Sequence, residues 1–202
     1  MQDTTERPYH HGDLRRAVID TAMDMLREDK GWQFTLREVA RRAGVSHAAP
    51  YKHFPDKAAL LAEIALIGFD RLREALIAVQ PAAPKDLPEA LTPIAETYLG
   101  FGKANPALYK LMFGAEAGEA SAVHLNERAL AAFEIVVDVL ESGQKAGRVR
   151  KRPVRGQAAA CWALLHGLAM LSIDGLLLPE KVGDNAIEAA LGTLLEGLEN
   201  RS

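Results

Sequence analysis

A short stretch in the first third of the sequence concentrates side chains that can hydrogen-bond to nucleic-acid bases and phosphates. A histidine can donate or accept at a base edge, an alanine can contact a thymine methyl group, and a lysine can pair with a phosphate. The residues concerned are Ser46, His47, Ala48, Ala49, Tyr51, Lys52, His53 and Lys57. These types indicate contact with DNA, in which the histidine and alanines at 47–49 face the bases and the later basic residues face the backbone.

The charge distribution agrees with such a contact. Residues 35–57 hold five basic and two acidic side chains, a net charge of +3, although the whole chain carries −3. Residues 58–202 hold 14 basic and 18 acidic side chains, a net charge of −4. The chain is therefore not a uniformly basic nucleic-acid binder, and the pattern is that of a small basic head on an acidic body.

Local signals predict the elements that would hold these side chains. Thr35 and Glu38 have the spacing of a capping box, in which each side chain accepts from the backbone amide of the other. Gly44 can supply the left-handed turn that ends this helix. Ser46 then caps a third helix over residues 47–54. Two short helices joined by a tight turn predict a helix-turn-helix, with a helical hairpin of an unrelated bundle as the alternative.

The run FTLREVARRAGVSHAAPYKHFPDKAALL resembles the DNA-binding domain of the tetracycline-repressor (TetR) family of bacterial regulators. The similarity extends over about residues 13–65. It implies that Tyr51, His53 and Lys57 clamp the DNA backbone, that Thr35 binds phosphate and that Arg37 reaches a base. Pro50 departs from the family, which more often has an aliphatic residue there. Residues 7–12 look like the arm that precedes the first helix in part of the family, although a frayed terminus explains them equally well.

The rest of the sequence predicts helices. Alanine and leucine are abundant, and strand-forming residues are few. A helix over residues 56–79, about 35 Å long, would join the head to the body, followed by helices over 88–103, 106–114, 121–147, 156–178 and 183–200. We therefore predict an all-α protein of about nine helices, with a three-helix head over residues 1–57 and a helical sensing and dimerisation bundle over residues 58–202.

The body offers candidates for a small-molecule pocket. Aromatic and methionine side chains with a few polar groups are typical of such sites, although each is also compatible with plain core. The candidates are Phe69, Tyr98, Phe101, Tyr109, Met112, Phe113, Phe133, Trp162, His166 and Met170. The segment from Trp162 to Gly167 resembles the Trp-His-Gly (WHG) signature of one C-terminal domain type of the same family.

The last two predicted helices are candidates for a dimer interface. The first is apolar nearly all round, so both of its faces must be covered. One short recognition helix reads few bases, so twofold pairing on a palindromic operator is expected. The alternative is that these helices close only the core of their own chain.

Other classes of function find little support in the sequence. The single cysteine, Cys161, allows neither an intramolecular disulfide nor a cysteine-based metal site. No nucleophile elbow or glycine-rich phosphate loop is present, and no apolar run reaches the roughly 18 residues of a membrane span. We therefore expect a cytoplasmic protein without cofactor or metal.

Three functions are compatible with the sequence. The first is a regulator, usually a repressor, that binds operator DNA as a homodimer and is released by a small-molecule effector. The second is a DNA-bound adaptor whose body binds a protein. The third and weakest is an all-helical enzyme that uses Cys161 or His166.

Overall fold

A computed structural model describes residues 11–28 and 31–200, and for residues 11–13, 120 and 121 it describes the backbone alone. Its ten α-helices are α1 His11–Leu26, α2 Leu36–Arg42, α3 Lys57–Ala78, α4 Leu87–Ala104, α5 Pro106–Phe113, α6 Ala120–His124, α7 Glu127–Lys145, α8 Val154–Ile173, α9 Pro179–Val182 and α10 Ala186–Leu198. Short 3₁₀ helices cover Pro50–Lys52 and Ala115–Ala117. The described residues form no strand beyond one isolated bridge, so the predicted all-α class is confirmed. Most of the predicted arm, residues 7–10, lies outside the described residues.

The head begins its second helix as the sequence predicts. The Thr35 hydroxyl accepts from the Glu38 amide at 3.2 Å, and the Glu38 carboxylate accepts from the Thr35 amide at 2.6 Å. This reciprocal pair is a capping box. At the other end, Gly44 has a φ of +69°, and the Val45 amide donates to the Ala40 carbonyl at 3.0 Å. The predicted glycine turn is therefore confirmed.

Helix α3 is the long connector that the sequence predicts. The Asp56 carboxylate caps it by accepting from the Ala59 amide at 2.8 Å. Its buried stripe runs from Leu60 to Leu76, and α3 packs against α5 and α7. One apolar core extends along this helix from head residues such as Val18 to body residues such as Tyr109. The division of the chain at residue 57 stays a prediction.

The body departs from the predicted helices in three places. Residues 121–147 form two helices because Asn126 is extended (φ −67°, ψ 142°) and its side chain accepts from the Arg128 amide, which starts α7 anew. The helix predicted over 156–178 ends at Ile173, ahead of Gly175 with a φ of +67°. The last predicted helix, 183–200, is replaced by the shorter α10, with a separate turn of helix, α9, before Gly183.

Candidate nucleic-acid interface and ligand cavity

The predicted recognition helix over residues 47–54 is wrong in its form. The segment is a series of tight turns that ends in the 3₁₀ helix Pro50–Lys52. Proline has no N–H to donate to the carbonyl four residues back, and its ring crowds that carbonyl. The Ser46 carbonyl accepts instead from the Ala49 amide at 2.9 Å. Pro50 therefore converts an α-helical turn into tighter, three-residue turns.

Most of the residues predicted to read bases lie on the surface of this segment. Ser46, His47 and Ala48 are exposed, as is Arg37 on α2. Ala49 is the exception, since it is 7% exposed and belongs to the apolar core. The tighter turn before Pro50 directs its methyl group inward, so the prediction that Ala49 faces a base is corrected.

The residues predicted to contact phosphates have mixed environments. Tyr51 is 50% exposed and Lys52 is exposed. The Lys57 ammonium lies over the Phe34 ring, 5.6 Å from its centroid, a favourable cation–π geometry. The Nε2 atom of His53 is buried and has no hydrogen-bond partner in the described part of the chain. Contact of that nitrogen with a phosphate therefore requires the ring to turn outward.

Arg41 is a basic residue of this surface that the candidate set omitted. It lies four residues after Arg37 on α2, so both guanidinium groups share one helix face, and both residues are exposed. Neither they nor Lys52 form an ion pair among residues 11–28 and 31–200, whereas Arg42 pairs with Glu28. The four-residue spacing, visible in the sequence, could have indicated Arg41.

The body contains an apolar cavity of about 320 Å³. Its walls come from α3, α4, α7 and α8, with one residue each from α5 and α6. The lining residues are Phe69, Leu72, Leu76, Ile94, Tyr98, Phe113, His124, Leu125, Ala129, Leu130, Ala132, Phe133, Val136, Ala159, Trp162 and Leu165. At the mouth, Leu125 is 69% exposed and Trp162 is 42% exposed.

Half of the predicted pocket residues line this cavity: Phe69, Tyr98, Phe113, Phe133 and Trp162. The other half, Phe101, Tyr109, Met112, His166 and Met170, lie in or against the surrounding core. The Tyr109 hydroxyl is 2.9 Å both from the Tyr98 hydroxyl, to which it donates, and from Nδ1 of His166. Tyr109 and His166 therefore support the wall behind Tyr98.

His124 is the lining residue that sequence reasoning missed. It ends α6, a short helix that periodicity had merged into one long helix, so no local pattern marked it. Its ring lies 5.6 Å from the Phe69 and Phe113 rings, edge-on to the former and stacked on the latter. Among the described residues its imidazole makes ring contacts and no hydrogen bond or ion pair.

The polar groups in and behind this cavity are uncharged near neutral pH. Burial raises the pKa of Tyr98 to about 12 and raises the pKa of Tyr109 further. Burial lowers the pKa of His124, and burial together with the proximity of His124 lowers the pKa of His166. A ligand here meets neutral hydroxyl and imidazole groups on apolar walls.

Neither a reactive cysteine nor a group of metal ligands occurs among the described residues. Burial raises the pKa of the Cys161 thiol to about 11, so it is protonated and a poor nucleophile near neutral pH. No group of three or more histidine, cysteine or acidic side chains that could hold a metal occurs in the part of the chain that the structure describes.

An ion-pair network joins the head to the wall of the cavity through α3. The Arg15 guanidinium lies 3.1 Å from the Glu63 carboxylate and 5.5 Å from the centroid of the Phe54 ring. Arg128, at the start of α7, contacts Glu63 at 3.1 Å and Asp70 through two hydrogen bonds, its Nε–Oδ2 distance being 2.8 Å. The contacts of this network thus extend from the start of α7 to Phe54, at the end of the recognition segment.

Comparisons with known proteins match both parts of the chain. Residues 18–64 match the family described as "Bacterial regulatory proteins, tetR family", and residues 91–194 match "Tetracyclin repressor-like, C-terminal domain". The chain is 29% identical over 141 residues to the nucleoid occlusion factor SlmA of Marinobacter nauticus, covering 68% of this chain and 69% of that protein.

Two solved structures are similar over almost the whole length. A protein with unknown function from Rhodococcus sp. RHA1 has a TM-score of 0.81 at 35% identity, covering 96% of this chain and 100% of that one. A putative tetR family transcription regulator from Shewanella sp. PV-4 has a TM-score of 0.69 at 20% identity, covering 93% and 99%. The second likeness concerns the fold alone.

Proposed function

This chain belongs to the TetR family, as a DNA-binding transcriptional regulator and not an enzyme, and we propose that it is a cytoplasmic repressor released from a palindromic operator by a small molecule. The observation that carries this proposal is the 320 Å³ cavity beside α3, the helix that begins directly after the recognition segment. Ligand pockets of small molecules start at about 300 Å³ and are mostly apolar. The volume and the apolar lining of this cavity both fit a small-molecule effector.

The bases would be read by exposed residues of the recognition segment, His47 and Ala48 first. Lys52 and Tyr51 would contact phosphates, joined by Thr35, His53 and Lys57 as the family resemblance implies. Phosphate contacts fix the position of a protein on DNA and base contacts select the sequence. Arg37 and Arg41 extend the positive surface beside them.

Pairing through α8 and α10 is supported by the apolar surface that these helices leave uncovered. Leu164, Gly167 and Leu171 form one stripe of α8, in which Leu171 is 40% exposed and the space beside Gly167 is open. In α10 only Leu198 is buried, whereas Leu191 and Leu194 are partly buried against the core of their own chain. A second copy would cover the apolar surface of both helices that remains exposed.

By length and composition alone, α8 is also long and apolar enough to cross a membrane, and 33% of its most apolar 18-residue stretch is buried. Arg155, Gln157 and His166 interrupt its apolar residues, which is why no continuous run appears in the sequence. A helix with one face in a cavity wall and another under a partner subunit has this composition too, so we assign α8 to the dimer.

Release would follow from a shift between two populations. A ligand that binds one conformation of the body more tightly favours that conformation. Only this difference in affinity between the two conformations can change the affinity for DNA. Here the connection runs from α7 through Arg128 and Glu63 to Arg15 and the recognition segment. Moving the heads apart by a small rotation would misalign them with successive major grooves.

A DNA-bound adaptor is the second candidate, favoured by the similarity to nucleoid occlusion factors. In that case the body would bind a protein and the operator would not be released by small molecules. The two candidates differ in one assay. Fluorescence anisotropy of a selected operator duplex is followed while a protein-free metabolite extract is added. A fall in anisotropy supports the repressor, whereas full retention, together with capture of a protein by the DNA-bound chain, supports the adaptor.

A further inference from the structure

We propose that the cavity takes an uncharged aromatic ligand that carries a hydroxyl or carbonyl group, and that His124 hydrogen-bonds to that group. This inference rests on the proposed effector role of the cavity and names the chemical class of the effector. It is carried by the composition of the walls, the arrangement of their rings and the position of His124.

The walls select against charge. None of the sixteen lining residues is acidic, lysine or arginine. A carboxylate or ammonium group inside would lose its hydration and gain no opposite charge, which is among the costliest changes in protein binding. The nearest polar side chains are neutral, since burial lowers the pKa of His124 and raises that of Tyr98. The buried part of the ligand is therefore uncharged.

The ring geometry favours a planar, aromatic ligand over a flexible chain. Phe133 meets Trp162 edge-on, with 6.3 Å between ring centroids, at the mouth of the cavity. Further inside, Phe69 meets Phe113 edge-on at 5.4 Å. Such rings present both faces and edges to a bound ligand. Aromatic pairs are more favourable than the apolar area that they bury would account for. An acyl chain of equal area would lack that gain.

His124 supplies the polar contact. A neutral imidazole offers one donor and one acceptor, and no hydrogen bond in the described part of the chain uses either nitrogen of His124. The Tyr98 hydroxyl already accepts from the Tyr109 hydroxyl, which also contacts His166, and it keeps its own O–H as a donor. His124 is the lining residue whose donor and acceptor nitrogens are both unused among the described residues, so a ligand hydroxyl or carbonyl would find its partner there.

The position of His124 in the chain also connects ligand binding in the cavity to the DNA-binding head. It precedes Leu125 and Asn126, the residue that caps α7. Two residues later, Arg128 holds Glu63 and Asp70 of α3. A ligand bound to His124 therefore touches the segment from which the ion-pair network begins.

Equilibrium dialysis without DNA tests the ligand class, with four probes: 2-naphthol, naphthalene, 2-naphthoate and decanoate. We expect 2-naphthol to bind at least about tenfold more tightly than 2-naphthoate or decanoate, because only the charged probes must desolvate an ion. The variant His124→Phe keeps the ring contacts and removes the hydrogen bond. It should weaken 2-naphthol about three- to tenfold and leave naphthalene unchanged, as expected for loss of one hydrogen bond.

Ala132→Phe is the control for location, since a ring at that lining position fills the cavity and should weaken all bound probes. Equal or tighter binding of 2-naphthoate or decanoate would overturn the proposed class. Equal weakening of 2-naphthol and naphthalene by His124→Phe would overturn the role of His124.

Operator anisotropy separates this proposal from the proposed repressor function. If 2-naphthol binds as expected but leaves the operator bound at saturation, the ligand class stands and its role in release fails. If an anionic or aliphatic compound from the extract releases the operator, the repressor function stands and the ligand class is overturned.

Discussion

Lys52 is an exposed basic side chain without an ion-pair partner in the described structure, and its proposed contact is a phosphate. Each phosphate contact releases counterions, so its loss changes the salt dependence of binding. We predict that Lys52→Ala weakens binding to all duplexes alike and lowers the slope of log affinity against log salt by about 1.

Lys85→Ala is the matched control for this variant, because Lys85 is also exposed but precedes α4, beyond the far end of α3. Its slope should equal that of the unsubstituted protein. A change of base preference with Lys52→Ala, at unchanged salt slope, would contradict the assignment to phosphate.

His124 makes stability depend on pH in a defined direction. Its pKa is lowered by burial in the folded protein, so between the folded pKa and the unfolded value of about 6.5 the unfolded chain binds more protons. The free energy of unfolding therefore falls as pH drops through about 6.5 and stops falling for this reason below the folded pKa. Urea unfolding at several pH values measures the effect, which His124→Phe should reduce.

His166 also contributes to the pH dependence of the free energy of unfolding. His166 lies behind Phe113, its pKa is lowered for the same reason, and Tyr109 holds its ring. His47→Gln serves as the control, since that side chain is exposed in the folded chain as in the unfolded one. A His124→Phe variant whose pH dependence matches that of the control would show that His124 is not held neutral by folding.

Prediction from sequence succeeded at the residue scale where the partners are near neighbours in the chain. Thr35 and Glu38 are three residues apart, and their mutual capping depends only on local geometry. It failed at Ala49 and at His124 for different reasons. Ala49 is turned inward by the tight turn before Pro50, a local effect that the apolar period conceals. His124 joins a cavity built from six helices, which depends on residues far apart in the sequence.

At the scale of elements, the turn between α2 and the recognition segment depends on Gly44. Its φ of +69° is costly for residues with a side chain, and no atom would obstruct an added Cβ. Gly44→Ala should thus lower the free energy of unfolding by about 1–2 kcal/mol through backbone strain alone. Urea unfolding at fixed protein concentration measures this.

Gly100→Ala is the matched control within helix α4. The space around Gly100 is also open, but its backbone is helical, so this change should raise stability by up to about 1 kcal/mol. If both variants shift the free energy of unfolding in the same direction, the left-handed conformation of Gly44 is not the cause of the loss in Gly44→Ala.

Helices α3 and α7 are held together by Arg128. Arg128→Met leaves Glu63 and Asp70 without their guanidinium partner in a partly buried site, where the side chains of Arg128 and Glu63 are 29% and 20% exposed. We expect a loss of about 1–3 kcal/mol in the free energy of unfolding. Arg155→Met breaks the more exposed pair with Glu134, 66% and 38% exposed, and should cost less than about 1 kcal/mol. Equal losses would contradict a structural role for the network.

The elements themselves were largely predictable, since caps and apolar periodicity mark α3, α4 and α5 within a few residues. The exceptions have local physical causes. Asn126 starts a new helix by capping it, and Pro50 withholds one amide from the recognition segment. In both places the apolar period continues across the break, so periodicity alone predicted a continuous helix.

At the scale of the whole molecule, the proposed dimer depends on the apolar stripe of α8. Leu171→Arg places a charge where the partner subunit would cover it, so the dimer should dissociate at least about tenfold more readily. Ile77→Arg is the matched control, because Ile77 is similarly exposed (46%) but lies at the end of α3. Sedimentation equilibrium measures both. A Leu171→Arg protein that dimerises as well as the control would remove α8 from the interface.

The central claim is that two copies of this chain read a palindrome, and selection of bound duplexes from random DNA tests it most directly. The unsubstituted protein should enrich a twofold-symmetric motif whose half-sites are separated by about one helical turn or a multiple of it, about 10–10.5 base pairs per turn. Enrichment of a single asymmetric half-site, or of no motif with only weak and steeply salt-dependent binding, would contradict the claim.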